Sequence, residues 1–213
     1  MFENNLNNNS KLYYMDYIDA ILYINLAHRT DRKEHILDEI HKLCTDDSKI
    51  HRIDAIKREN GAFGCGLSHI KALEYALEHE WKTVLIVEDD FTCKPVSMND
   101  HISLLFEYDF DVGLLSHNSL RYSDTDNDSV KRAIYAQTTS AYIIKRDYIP
   151  VLLQNIKEAI DDTAKNGRRH ENCIDIHWTS LQLKDKWYTL YPAIGYQYGN
   201  HSDIENRFCE YGC

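Results

Sequence analysis

Thr83-Val84-Leu85-Ile86-Val87 is a run of β-branched and aliphatic residues that passes without a break into Glu88-Asp89-Asp90. A strand that is apolar on both faces must avoid water on both sides, so it belongs inside a sheet covered by helices above and below. Asp19-Ala20-Ile21-Leu22-Tyr23-Ile24-Asn25 has the same character. Between these runs lie two amphipathic helices. Thr30 or Asp31 can cap the first, with Glu34 completing an Asp-x-x-Glu box, and Ile36, Leu37, Ile40 and Leu43 fall on one face. A short strand around Ile50 to Ile56 follows. Next come Gly61-Ala62-Phe63-Gly64-Cys65-Gly66 and a helix carrying Leu67, Ile70, Leu73 and Leu77. The βαβαβ order predicts a parallel sheet with right-handed crossovers. Ligands of such sheets bind beyond the carboxyl ends of the strands, so Asn25 and the Glu88 to Asp90 triplet should line one crevice.

Farther along, Ser97 to Tyr108 reads as a helix, Asp111 to Ser116 as a strand and Asn118 to Ser129 as a polar loop. Ala133 to Gln137 and Ala141 to Ile144 are strand-like. A long helix starts near Asp147, accepts Pro150 in its first turn and ends by Gly167. Ile174 to Leu183 reads as a last helix and Trp187 to Tyr191 as a last strand before an irregular tail. No repeat or linker divides the 213 residues. The expected organisation is therefore a single domain over 18–213 behind an Asn-rich lead-in, 1–17, that reads as disordered or weakly ordered. The start does not resemble a secretory signal. No apolar run approaches the roughly 18 to 20 residues needed to cross a bilayer, which implies a soluble protein. The 34 acidic residues outnumber 24 basic ones, a formal charge of −10. That charge leaves no electrostatic footprint for nucleic acid. The six cysteines show no CxxC pair and no zinc-ligand spacing. They fit free thiols in a reducing cytoplasm, bacterial, viral or host.

Three consecutive carboxylates at the end of a buried strand repel one another and lose solvation, a cost most simply offset by a cation. Oxygen ligands suit Mg²⁺ or Mn²⁺, which keep water and bridge to phosphates. The same residues also fit a helix cap or a solvated strand end. Asn25-Leu26-Ala27-His28-Arg29-Thr30-Asp31-Arg32 offers an amide for a base and cationic and backbone contacts for a phosphate. Its arginines equally fit solvated helix-end charges. Gly64-Cys65-Gly66-Leu67-Ser68-His69 would let a ligand approach the backbone at a helix start, although it matches neither a Walker A nor a GxGxxG pattern. His69 also fits a packing histidine.

In order and spacing, these three segments resemble glycosyltransferase family 25. That family includes bacterial lipopolysaccharide (lipooligosaccharide) glycosyltransferases and the collagen hydroxylysine glycosyltransferase domains. Thr139 to Ile144, Asp175-Ile176-His177-Trp178 and Ser202-Asp203-Ile204 are similar to later family segments, so the likeness runs from about Ile18 to Arg207. Ala27-His28 departs from the family, which often has an acidic then a basic residue there. The resemblance implies an α/β fold of GT-A type, a Rossmann-like mixed, mostly parallel sheet flanked by helices. It implies a metal-dependent inverting enzyme that moves a hexose, galactose or glucose, from a UDP-sugar to a hydroxyl of a saccharide or glycoprotein, using Mn²⁺ or Mg²⁺.

Under this resemblance Glu88, Asp90 and His201 hold the metal. Asn25, Leu26, Arg29, Arg32, Asp54, Ala55, Gly64, Ser68, His69, Glu88 and Asp89 bind the donor, with Arg29 and Arg32 facing its diphosphate. Asp175, or alternatively Asp89, is the base that deprotonates the acceptor hydroxyl. Asp175 also fits a helix N-cap and His201 an exposed tail residue. Tyr188, Tyr191, Tyr196 and Tyr198 fit either sugar stacking or packing beneath the tail. Two rival readings use the same residues: a metal-dependent phosphohydrolase, for which the usual multi-histidine clusters are missing, and a family member that binds a nucleotide sugar or a partner protein without transfer.

Overall fold

The computed structural model describes residues 15–95, 98–202 and 207–209. The first half has the expected alternation: β1 (Ala20–Asn25), α1 (Thr30–Leu43), β2 (Ile50–Asp54), α2 (Gly61–Glu78) and β3 (Thr83–Glu88). It continues through β4 (Phe91–Cys93), α3 (Met98–Leu105), β5 (Val112–Leu114), β6 (Asn118–Asp124), β7 (Val130–Gln137) and β8 (Ala141–Lys145). The remainder is α4 (Ile149–Asn166), α5 (Ile174–His177), α6 (Thr179–Gln182), β9 (Trp187–Leu190), β10 (Gly195–Gln197), β11 (Asn200–Ser202) and β12 (Arg207–Cys209).

Eight strands form one mixed sheet in the order β2-β1-β3-β8-β5-β9-β7-β6. β1 lies parallel to both β2 and β3, with Asn25 opposite Asp54 and Ile24 opposite Glu88. This register brings three strand ends to one edge. β8 runs antiparallel to β3, with Ala141 opposite Val87, and the Glu88 N–H donates to the Ser140 carbonyl at 2.8 Å. The reversed strand thus delivers the segment 138–140 to the same edge.

Alternate residues of β1 and β3 feed two cores, which is why both read as unbroken apolar runs. Leu22, Ile24, Val84 and Ile86 pack with Leu73 of α2, Ile156 of α4, Trp178 and Trp187. Ile21, Tyr23, Leu85 and Val87 pack on the other face with Ile36 and Ile40 of α1 and Leu105 of α3. Each fully buried aliphatic side chain contributes about 1.5–3 kcal/mol relative to exposure. Among the described residues, no helix is long and apolar enough to cross a membrane.

Several expectations change. The Asp31–Glu34 box does not cap α1: Arg29 occupies the cap position, no side chain caps the helix, and Asp31 instead takes the Arg29 guanidinium at 2.8 Å. α2 begins at Gly61, where the Asn60 side chain accepts from the Phe63 N–H at 3.2 Å. Gly64-Cys65-Gly66 is therefore inside a helix and not at its start. The segment read as a polar loop contains β6, the outermost strand, largely exposed and paired with β7. With few of its side chains buried, it carries no alternating apolar signal. The helix read over 174–183 is two short helices that meet at Trp178, fully buried, whose indole N–H donates to the Ala136 carbonyl at 3.0 Å. The tail holds short strands, β10 paired with β4 and β11 with β12. Within the lead-in, Met15 is buried in the second core, and residues 1–14 are outside the described ones.

Gly64 and Gly66 of α2 answer close packing. A Cβ at Gly64 would lie 2.4 Å from the Ile56 carbonyl oxygen, and one at Gly66 2.3 Å from the tip of Ile160. The first clash is with backbone and the second with a side-chain end that can turn away. Gly64→Ala is therefore expected to cost about 1–3 kcal/mol of overpacking, and more than Gly66→Ala. Urea unfolding of both variants tests this, and equal or reversed costs would contradict it.

Candidate active site

β3 ends at Glu88 and the chain turns through Asp89 and Asp90 into β4. The three carboxylates receive different partners. Glu88 Oε1 is 3.1 Å from His69 Nε2 and also accepts from the Thr139 hydroxyl. Burial pushes the Glu88 carboxyl up, but the hydrogen bond and charge of His69 bring it below the usual range. His69 is itself held on its other nitrogen, with Nδ1 3.0 Å from the Tyr142 hydroxyl.

Asp89 accepts from Asn25 Nδ2 at 2.7 Å and from Arg32 Nη1 at 2.8 Å, one bond on each oxygen. Burial still raises its carboxyl above the ordinary value, against the lowering effect of Arg32. Asp90 has only longer contacts, Arg32 Nη1 at 3.4 Å and Gln197 Nε2 at 3.3 Å. Burial and then the charge of Glu88 push it up to about 7. Of the triplet, Asp90 is the carboxylate least compensated by the protein and best suited to a cation.

Arg32, expected to face a diphosphate, lines the cleft but is only 8% exposed and is ion-paired with Asp89 and Asp90. Its guanidinium offsets part of the triplet's charge. Arg29 is ion-paired with Asp31. Asn25, expected to meet a base, gives its amide to Asp89 and to the Arg29 carbonyl. Asp89, the alternative base, holds one of these bonds on each oxygen and still lines the cleft.

A cleft of about 100 Å³ opens over this turn. Of the expected residues, it gathers Leu26, Arg32, Ala55, Ser68, His69, Glu88, Asp89 and Asp90. Asp54 is exposed and paired with Arg52 at 2.6 Å. Gly64 packs against the 56–58 backbone. Ser68 accepts from the Ile56 N–H at 2.8 Å and so braces the loop that forms one wall.

Asp175 is not a helix cap, because α5 begins one residue earlier with Cys173 in the cap position. Its carboxylate accepts from the Thr138 N–H at 3.2 Å. Burial raises its carboxyl, and the charge of Glu88 adds to the rise. His201 lies in β11 opposite Phe208, and its side chain is outside the described residues. The tyrosines are dispersed: Tyr188 is against Tyr108, Tyr191 against Tyr122 and Tyr198 against His35, while Tyr196 sits in β10 opposite Thr92.

Sequence reasoning missed Lys57, Arg58, Cys65 and Gln197, all on the cleft. For the first two a signal existed: adjacent cations in a short loop between a strand end and a helix start, where anions are commonly held. Gln197 had none, since only tertiary pairing of β10 with β4 brings it to Asp90.

No protein-family model matches the chain, and no curated protein matches it in sequence. Its fold does match solved structures. It is similar to a glycosyltransferase involved in the glycosylation of the major capsid of PBCV-1, with TM-score 0.53 and 10% identity, covering 88% of this chain and 95% of that one. It is also similar to A197 from STIV, with TM-score 0.51 and 12% identity over 92% and 95% of the two chains. A third is the mannose-1-phosphate geranyltransferase from Thermus thermophilus, at TM-score 0.51 and 10% identity over 82% and 73%. The expected Rossmann-like mixed sheet flanked by helices is thus the observed fold, one that this chain shares with a glycosyltransferase.

Removing one partner from a buried ion pair leaves an uncompensated charge, at a cost of about 3–5 kcal/mol. Arg32→Ala should destabilise the protein by about that amount in urea unfolding at neutral pH. A loss below about 1 kcal/mol, the level of an exposed pair, would show that Asp89 does not depend on Arg32.

Proposed function

We propose that this chain is a metal-dependent inverting glycosyltransferase of the family 25 type. In this reading it moves galactose or glucose from a UDP-sugar to a hydroxyl of a saccharide or glycoprotein. The carrying observation is a pair of carboxyls, Asp90 and Asp175, both raised by burial and both acted on by the charge of Glu88. Two cations, Lys57 and Arg58, line the cleft that contains Asp90. The glycosyltransferase-like fold supports the same reading. The thiols of Cys44, Cys65 and Cys93, which are not in disulfides, support a cytoplasmic setting.

Asp90 is the residue we assign to Mn²⁺ or Mg²⁺, with Glu88 beside it, because its buried charge has the weakest protein partners. A divalent cation there supplies positive charge against a departing diphosphate. Lys57 and Arg58 take the diphosphate contacts first expected of Arg29 and Arg32, and Leu26 and Ala55 give the donor an apolar wall. Arg32 and Asn25 fix the turn through Asp89. Asp175 accepts the proton of the attacking hydroxyl. Its raised carboxyl makes it a stronger base than an exposed aspartate, and inversion requires such a base on the face opposite the leaving group.

Purified protein with Mn²⁺ and a panel of UDP-sugars should slowly hydrolyse UDP-galactose or UDP-glucose. Asp90→Asn should abolish turnover together with Mn²⁺-dependent UDP binding in calorimetry. Asp175→Asn should lower turnover by about 10²–10⁴-fold while UDP still binds. Binding of UDP with no product on any acceptor would favour a non-catalytic nucleotide-sugar binder. Absence of UDP binding with metal would sink the proposal.

A further inference from the structure

Cys65 and His69 are four residues apart on α2, which sets them on one face of the helix a turn apart. β3 brings Glu88 opposite them. One ligand atom from each, the Cys65 Sγ, a His69 ring nitrogen and a Glu88 carboxylate oxygen, lie within 4.8 Å of one another. Zinc bonds of about 2.0–2.3 Å set tetrahedral ligand atoms about 3.3–3.8 Å apart, so a small contraction closes the set. The donors are one sulfur, one nitrogen and one oxygen, a combination suited to Zn²⁺ and poorly suited to Mg²⁺. All three residues line the cleft.

We propose that Cys65, His69 and Glu88 form a Zn²⁺ site. A second observation supports it independently of the spacing. His69 is fully buried and its Nδ1 is 3.0 Å from the Tyr142 hydroxyl, itself fully buried. A histidine that ligates a metal through one nitrogen is characteristically held by a hydrogen bond on the other, and Tyr142 supplies that hold. On binding, the thiol proton leaves to solvent, and the imidazole keeps one proton, on Nδ1, which it donates to the Tyr142 oxygen. The thiolate and the Glu88 carboxylate together neutralise the dication. The site does not rest on the transferase reading, whose oxygen-ligated cation is assigned to Asp90. Because Glu88 borders both, Zn²⁺ here would compete with that cation.

The test is a metal titration of the whole protein after chelator treatment, with Zn²⁺ in competition against a chromophoric chelator and Co²⁺ as a spectroscopic probe. The expected result is one tight Zn²⁺ equivalent and a thiolate-to-Co²⁺ charge-transfer band in the near ultraviolet. Cys65→Ser should remove the band and weaken Zn²⁺ by at least about 100-fold, and Cys173→Ser should change neither. Tyr142→Phe should weaken Zn²⁺ by about 10- to 100-fold, the usual effect of losing such a supporting bond, while the band remains. Asp90→Asn, which removes the assigned Mn²⁺ ligand, should leave the band in place, separating failure of this site from failure of the transferase. Circular dichroism melts establish that each variant is folded. A band that survives Cys65→Ser, or wild-type protein with no tight equivalent, would overturn the proposal.

Discussion

Everything at the carboxyl edge of the sheet depends on a buried guanidinium. Arg32 leaves α1 and meets Asp89 at 2.8 Å and Asp90 at 3.4 Å, while Asn25, from the end of β1, closes the other oxygen of Asp89. Without it, two adjacent carboxylates would lie in a nearly dry turn with no counter-charge, and one or both would take up a proton. The ion pair also links the first crossover helix to the end of β3, so the helix and the turn hold each other in place.

Around that pair, three consecutive acids become chemically unequal. Glu88 is held ionised by His69, Asp89 is fully engaged, and Asp90 has the weakest partners. The inequality follows from direction: Glu88 ends a strand that faces α2, and Asp90 follows the turn and faces β10, which offers only the neutral Gln197. Under the proposed transferase reading, such a division lets the turn fold before a cation arrives, with most of the charge compensated by protein and one carboxylate left for the metal.

The first half of the fold was legible because both faces of β1 and β3 are buried and their apolar runs carry no competing signal. The acidic turn was legible for the same reason, since three carboxylates directly after such a run mark where the strand leaves the core. Contacts were less legible. Arg32 reads as a helix-end charge in sequence and becomes a buried ion-pair partner only because α1 packs across the strand ends. The glycines of Gly64-Cys65-Gly66 suggested a ligand loop, whereas their reason is the approach of Ile56 and Ile160. β6 was hidden by exposure, and Gln197 by a pairing that joins residues more than a hundred positions apart in the chain.

The antiparallel β8 has an evolutionary consequence. Because it enters the sheet from the site edge, it brings the segment 138–140 beside the end of β3, where Thr138 contacts both Asp175 and Gln197; Gln197 completes a cleft whose other lining residues come from 24–90. The acidic turn and the groups that approach it from β8 and β10 are thus encoded in separate stretches of the chain. Substitutions after residue 110 can reshape what enters the cleft while the ion pair and the turn stay intact, so a lineage carrying this fold can change one side without rebuilding the other.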